Sequence, residues 1–159
     1  MNIDLPYFAY LLGFALGILF LMVVFIPRGE IQKLFWFSVL CGAGLNLSIE
    51  YIFVHIGLTR YEHIIPFNFG VLPIWTVLAW APAVMLFIYF LPQRKETYIR
   101  WMYILLWSIF TWGVAVIFSN LGILVFIKGG PWIWFITGFV CYPFIIKYYR
   151  FLGTRSKDC

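Results

Sequence analysis

The residue in this chain with the greatest chemical potential is Glu50, an acid inside a long apolar stretch, with Ser38, Gly42 and Asn46 behind it at strict four-residue spacing. On a helix that spacing stacks all four on one face, so a small and polar stripe is expected to run along it. An acid at mid-bilayer costs about 2.5 to 3.5 kcal/mol on translocon scales, less near a boundary, and an amide in lipid lacks partners. The stripe is therefore expected to face protein. Two roles stay open for Glu50. It could pair with Arg60 or His55, or accept hydrogen bonds from a neighbouring helix, and so fix register. Alternatively, because desolvation favours a neutral carboxyl, it could serve as catalytic proton donor, base or cation site.

A second stripe, Ser108, Thr111, Ala115 and Ser119 with Asn120 after it, recurs at helical spacing near residue 120. It could pack helices together or line the same cavity as Glu50. Between the two stripes, residues 55–70 mix His55, Arg60, Tyr61, Glu62 and His63 with apolar anchors. Long connecting segments disproportionately carry function. The ligand or cavity candidates are thus Asn46, His55, Arg60, Tyr61, Glu62, His63, Ser119 and Asn120. Histidine and carboxylate are suitable zinc ligands, but none of the usual ligand spacings occurs, so no metal is expected, and no cofactor either. Cys41 and Cys141 fall at similar depth and are expected to be reduced packing residues.

The elements that must position these groups are helices crossing a membrane. The chain is 64% apolar and 11% charged over 159 residues, which cannot cover a water-soluble surface. Five apolar runs predict an all-α, single-domain bundle over residues 1–159, with helices at about 7–26, 34–54, 71–90, 101–120 and 131–148. Lipid-facing strands are excluded because alternation at period two is absent. The first run lacks a basic n-region and a small-residue cleavage site, so it is expected to be retained as a helix. Pro73, Pro82 and Pro143 fall within runs, and Pro82 is the expected kink.

Charge gives the orientation. Nine of the eleven basic residues, Arg28, Lys33, Arg94, Lys95, Arg100, Lys147, Arg150, Arg155 and Lys157, fall in alternate gaps, and the other gaps hold only Arg60 and Lys128. Short basic loops stay cytoplasmic, which predicts the N-terminus and residues 55–70 outside, loops 27–33 and 91–100 inside, and the C-terminus inside a cell membrane. The formal charge of +5 is then a topogenic excess that also attracts anionic headgroups, and no nucleic-acid partner is expected. Aromatics, 23% of the chain, are expected to form interfacial belts, Trp132 and Trp134 among them.

Several short motifs carry a resemblance. Phe25-Ile26-Pro27-Arg28 after the first run, Glu50 with Gly57-Leu58 and Tyr61, Pro92 after the third run, and Trp132-Ile133-Trp134 opening the fifth resemble a family of small bacterial membrane proteins with five predicted helices. That resemblance covers most of the chain and implies the topology and, by analogy, a special role for Glu50. Glu50, Gly57, Tyr61, Gly70-Val71-Leu72-Pro73 and Trp80 also resemble membrane-bound carotenoid hydratases and transmembrane terpenoid cyclases. This second resemblance implies an intramembrane acid that protonates an alkene while aromatic faces steady the carbocation. The chain is shorter than those enzymes and has no clear second intramembrane acid.

The leading expectation is a multi-pass membrane protein with a non-catalytic binding, sensor or accessory role, its partners being the bilayer and an unidentified protein. The alternative is an intramembrane enzyme on a lipid or isoprenoid ligand with Glu50 as acid or base. The discriminator is the space around Glu50: an aromatic tunnel open to lipid favours the enzyme, and a filled bundle favours the other.

Overall fold

A computed structural model describes residues 5–62, 68–69, 72–93 and 96–155. Arg94, Lys95, Lys157 and the site candidate His63 lie outside the described residues. The fold is helical. Helix α1 covers Leu5–Phe25 and ends at a corner made by Pro27, whose φ of −59° and ψ of 145° are extended. Its carbonyl accepts the backbone N–H groups of Glu30 and Ile31, so a new helix starts at once. The expected loop at 27–33 is therefore a two-residue corner, Ile26-Pro27. Arg28 and Lys33 stand on the first turns of the next helix, where Lys33 pairs with Glu30 at 2.7 Å.

That helix runs from Arg28 to His55 in three parts: α2 at Arg28–Ser38, a π-helical stretch at Val39–Gly44, and α3 at Leu45–His55. The π turn explains why the stripe stays straight. In an α-helix a four-residue step overshoots a full turn by about 40°. The wider i→i+5 turn takes up that excess. Ser38, Gly42, Asn46 and Glu50 are all buried, so the stripe faces protein as expected. A Cβ on Gly42 would lie 2.7 Å from Ala81 Cα and nearer still to the Trp80 carbonyl, so the stripe packs against the backbone of α4, Ile74–Tyr89.

Helix α5 spans Thr97–Asn120 and α6 spans Trp132–Arg155, and both extend past the predicted apolar runs into polar residues. Pro82 and Pro143 lie inside α4 and α6, whereas Pro73 falls before α4 in a two-residue strand. Ser108 of the second stripe packs against α6: a Cβ on Gly138 would stand 3.3 Å from Ser108 Cα.

At one end of the bundle two short strands form a ribbon. Helices α3 and α5 end in the same cap. Gly57 and Gly122 adopt φ of +70° and +73°, and each is followed by a backbone bond reaching five residues back, Leu58 to Phe53 and Ile123 to Phe118. This is the Schellman arrangement, in which a left-handed glycine reverses the chain. Each cap launches a strand, β1 at Thr59–Tyr61 and β4 at Leu124–Phe126, and the two pair antiparallel with Arg60 opposite Val125. Asn68–Phe69 (β2) and Leu72–Pro73 (β3) form a second small hairpin leading into α4.

The opposite end of the bundle is basic. Phe25 meets Phe90 there, and Phe37 meets Tyr148 and Tyr149, which gathers the end of α1, the start of the long helix and the ends of α4 and α6. The main core, around Phe87, Met85, Ile104 and Tyr142, fills the middle and basic end, while a smaller one around Leu11, Phe118, Ile123 and Trp134 lies under the ribbon. Pro6–Phe25, Arg28–His55 and Thr97–Asn120 are each long and apolar enough to cross a membrane, and Thr76–Tyr89 is a shorter apolar helix. Phe20, Val23, Trp36, Leu40, Met102, Leu106 and Phe144 are among many large apolar side chains left exposed, a surface suited to hydrocarbon rather than water.

Candidate functional site beneath the ribbon

Glu50 lies one turn from the end of α3 and is only 2% exposed. Asn46, one turn earlier, donates from Nδ2 to Glu50 Oε1 at 2.9 Å. The amide and the acid that would each be costly alone thus face one another. Glu50 Oε2 has no hydrogen-bond partner among the described residues. It borders a cavity of about 20 Å³ lined by Tyr61 from β1, Trp80 from α4, Thr111 and Phe118 from α5, and Trp134 from α6. The indole Nε1 of Trp134 is likewise buried without a partner among the described residues. Glu50 and Trp134 therefore line one void, whose size suits a single water molecule, which needs about 10–15 Å³ and polar partners.

The ribbon decides which polar residues reach this site. Along β1 the side chains alternate, Thr59 buried, Arg60 exposed and Tyr61 turned back toward the bundle. Tyr61 stands close enough for the Glu50 carboxyl to act on it electrostatically: burial first, then that charge, pushes its phenol well above the ordinary range. Arg60 faces away and pairs with Glu62. His55 is exposed and stacks on Tyr51, with ring centroids 5.7 Å apart. Neither Arg60 nor His55 pairs with Glu50, and Asn46 holds that place. Ser119 is half-buried, with its carbonyl engaged by Gly122, and Asn120 is exposed at the end of α5. Of the sequence candidates, the fold brings together Glu50, Asn46 and Tyr61, and leaves Arg60, Glu62, His55 and Asn120 on the surface.

Thr111 belongs to a second, deeper cavity of about 40 Å³, shared with Asn46, Trp134, Cys141 and Tyr142. Its hydroxyl donates to the Trp107 carbonyl at 3.0 Å and lies 2.8 Å from the Tyr142 hydroxyl, which supplies the proton for that second bond. Cys41 and Cys141 line this same cavity as free thiols. Sequence reasoning placed Trp134 in an interfacial belt and so missed it. The signal was there in its spacing from Trp132: two residues apart on a helix point to nearly opposite faces, so one of the pair must turn inward. Trp132 is exposed and Trp134 is buried.

Among the described residues no group of three or more His, Cys, Asp or Glu is gathered as a metal centre requires. No family model, curated protein or solved structure matches this chain.

Proposed function

We propose that the chain is a multi-pass protein of the bacterial cell membrane with five transmembrane helices, the ribbon end outside and the basic end in the cytoplasm, and that its role is non-catalytic, as a binding, sensor or accessory subunit. The observation that carries this reading is the space around Glu50. Voids of about 20 and 40 Å³ accommodate water, whereas ligand pockets run on the order of 300–1,000 Å³. Glu50 then acts as a polar clasp. It ties α3 to its own preceding turn through Asn46 and, through the shared cavity, to the ribbon and α5. The exposed Arg60, Glu62 and His55 form the face a partner would meet. The orientation rests on the uneven distribution of basic residues, and the resemblance to small five-helix bacterial proteins agrees with it.

One observation favours the enzyme alternative, in which Glu50 protonates a lipid or isoprenoid ligand. Glu50 lines a cavity that Trp80, Phe118 and Trp134 wall with aromatic rings. Glu50→Gln separates the readings, because an amide keeps the size and can accept from Asn46 but cannot donate an acidic proton. The clasp reading expects the variant to fold and to complement a deletion of the gene. A folded variant that fails to complement would favour the acid. A reporter fused beyond residue 155 is expected to be cytoplasmic, and an extracytoplasmic signal would overturn the orientation.

A further inference from the structure

The basic end holds a site unrelated to Glu50. Arg100 on the first turns of α5 meets Lys147 and Arg150 on the last turns of α6 around a cleft of about 270 Å³, whose other walls are Trp101, Ile104, Pro143 and Ile146. Three cations converge there, and no carboxylate is among the described lining residues. Arg100 Nε is buried with no hydrogen-bond partner among the described residues, and no described carboxylate pairs with Lys147. Burying a guanidinium edge without an acceptor is costly, so the cleft is built for an incoming anion. Its walls change character with depth. Charged heads rim one end, the half-exposed indole of Trp101 follows, and Ile104, Pro143 and Ile146 continue toward the middle of the bundle. A free anion would use only the rim. An anionic headgroup with an attached acyl chain also uses the apolar side of the cleft, where Ile104 and Ile146 form a buried floor and the exposed indole of Trp101 offers the chain a surface.

We propose that Arg100, Lys147 and Arg150 bind the phosphate of an anionic phospholipid, with its acyl chain leaving the cleft across the exposed face of Trp101. The site rests on the membrane reading but is independent of any role for Glu50. Guanidinium groups suit phosphate oxygens by paired donors, and the lysine adds a point charge.

The test is native mass spectrometry of the full chain released from detergent micelles containing phosphatidylglycerol or phosphatidylcholine at equal concentration. Wild type is expected to retain phosphatidylglycerol at least tenfold more tightly. Each substitution to Gln should lower that preference about fivefold, since one basic residue near an anionic surface is worth about 1 kcal/mol. Arg28→Gln, a basic residue at the same end but outside the cleft, should leave it unchanged. Lys147 is exposed, so Lys147→Gln tests the site without threatening the fold. Trp101 fluorescence should be quenched by brominated-acyl phosphatidylglycerol, and less so in the Arg100→Gln/Lys147→Gln/Arg150→Gln variant. Equal retention of both lipids, or a loss in Arg28→Gln as large as in the triple variant, would overturn the proposal. So would displacement of the lipid by millimolar inorganic phosphate, which would reveal a simple anion site.

Discussion

The two ends of this bundle handle polarity in opposite ways. Beneath the ribbon, Glu50, Asn46, Tyr61 and Thr111 turn inward and share voids no larger than one or two water molecules. At the basic end, Arg100, Lys147 and Arg150 line a cleft of about 270 Å³, with Lys147 and Arg150 exposed. The difference shows what a small membrane bundle can do with polar groups. Turned inward they must satisfy one another, so they specify register and leave little room for a guest. Turned outward at a helix end they meet the surroundings, so that end is where a ligand with complementary charge can enter. The basic end is the more open of the two despite having no buried acid, which separates the most costly residue from the most receptive site.

The sharpest way to break this comparison is at Gly42, where the inward stripe meets α4. A Cβ there collides with backbone atoms of Trp80 and Ala81, which cannot swing aside as a side chain can. Gly42→Ala should therefore cost about 3 kcal/mol or more, and Gly42→Leu should abolish the monodisperse folded species in size-exclusion chromatography. Gly17→Ala, with nothing within 4 Å of the added carbon, is the control and should melt no lower than wild type. Equal effects at Gly42 and Gly17 would mean that the stripe does not hold α4 as described.

Next in size are the substitutions at Glu50 itself. Glu50→Ala leaves the Asn46 amide buried without its acceptor and should cost about 1–3 kcal/mol by thermal melting in detergent. Glu50→Gln keeps an acceptor and removes the burden of a buried ionisable group, so its stability should equal or exceed that of wild type. If both variants melt alike, Asn46 is not the partner that matters and the clasp is elsewhere.

The paired caps give a third measure. Gly57 and Gly122 have open space where a Cβ would project, so Gly57→Ala and Gly122→Ala are strained only through their positive φ. Each should cost about 1–2 kcal/mol. Because both feed one ribbon, the double variant should fall short of the sum once the ribbon has opened. Strict additivity would show the strands to be independent.

How much of this was legible in the sequence follows from the range of each interaction. The stripe could be read because four-residue periodicity is local, and the helical class because composition leaves no other. The length of the helix at Arg28–His55 was misjudged because apolarity marks what contacts hydrocarbon, while the helix itself continues through Arg28-Gly29-Glu30 once Pro27 has turned the chain. The ribbon was not legible, since Leu124-Val125-Phe126 is a short apolar run whose strand character exists only in its pairing with Thr59-Arg60-Tyr61. Which residue of the 55–70 segment faces Glu50 depended on that ribbon. Charge alone nominated Arg60 or His55, but strand alternation sends Arg60 outward and Tyr61 inward. The basic cleft was half legible: the basic excess was plain, and the convergence of α5 and α6 upon it was not.

The smallest expected effect is the most discriminating for Glu50. Arg60 pairs with Glu62 on the surface, both side chains being well exposed, and exposed pairs are worth about 0.2–1 kcal/mol. Arg60→Gln should therefore lower stability by no more than that, and the loss should shrink further at high salt, where exposed charges are screened. Were Arg60 instead the counter-ion of Glu50, its removal would strand a buried carboxylate and cost about 3–5 kcal/mol. A double-mutant cycle with Arg60→Gln and Glu50→Gln distinguishes the two arrangements directly. Coupling near zero is expected, because strand alternation puts Arg60 on the outward face of the ribbon and Glu50 beneath it. Coupling above about 1 kcal/mol would mean that the charge at the ribbon reaches the interior after all, and the contrast between an inward, self-satisfied end and an outward, charged one would have to be redrawn.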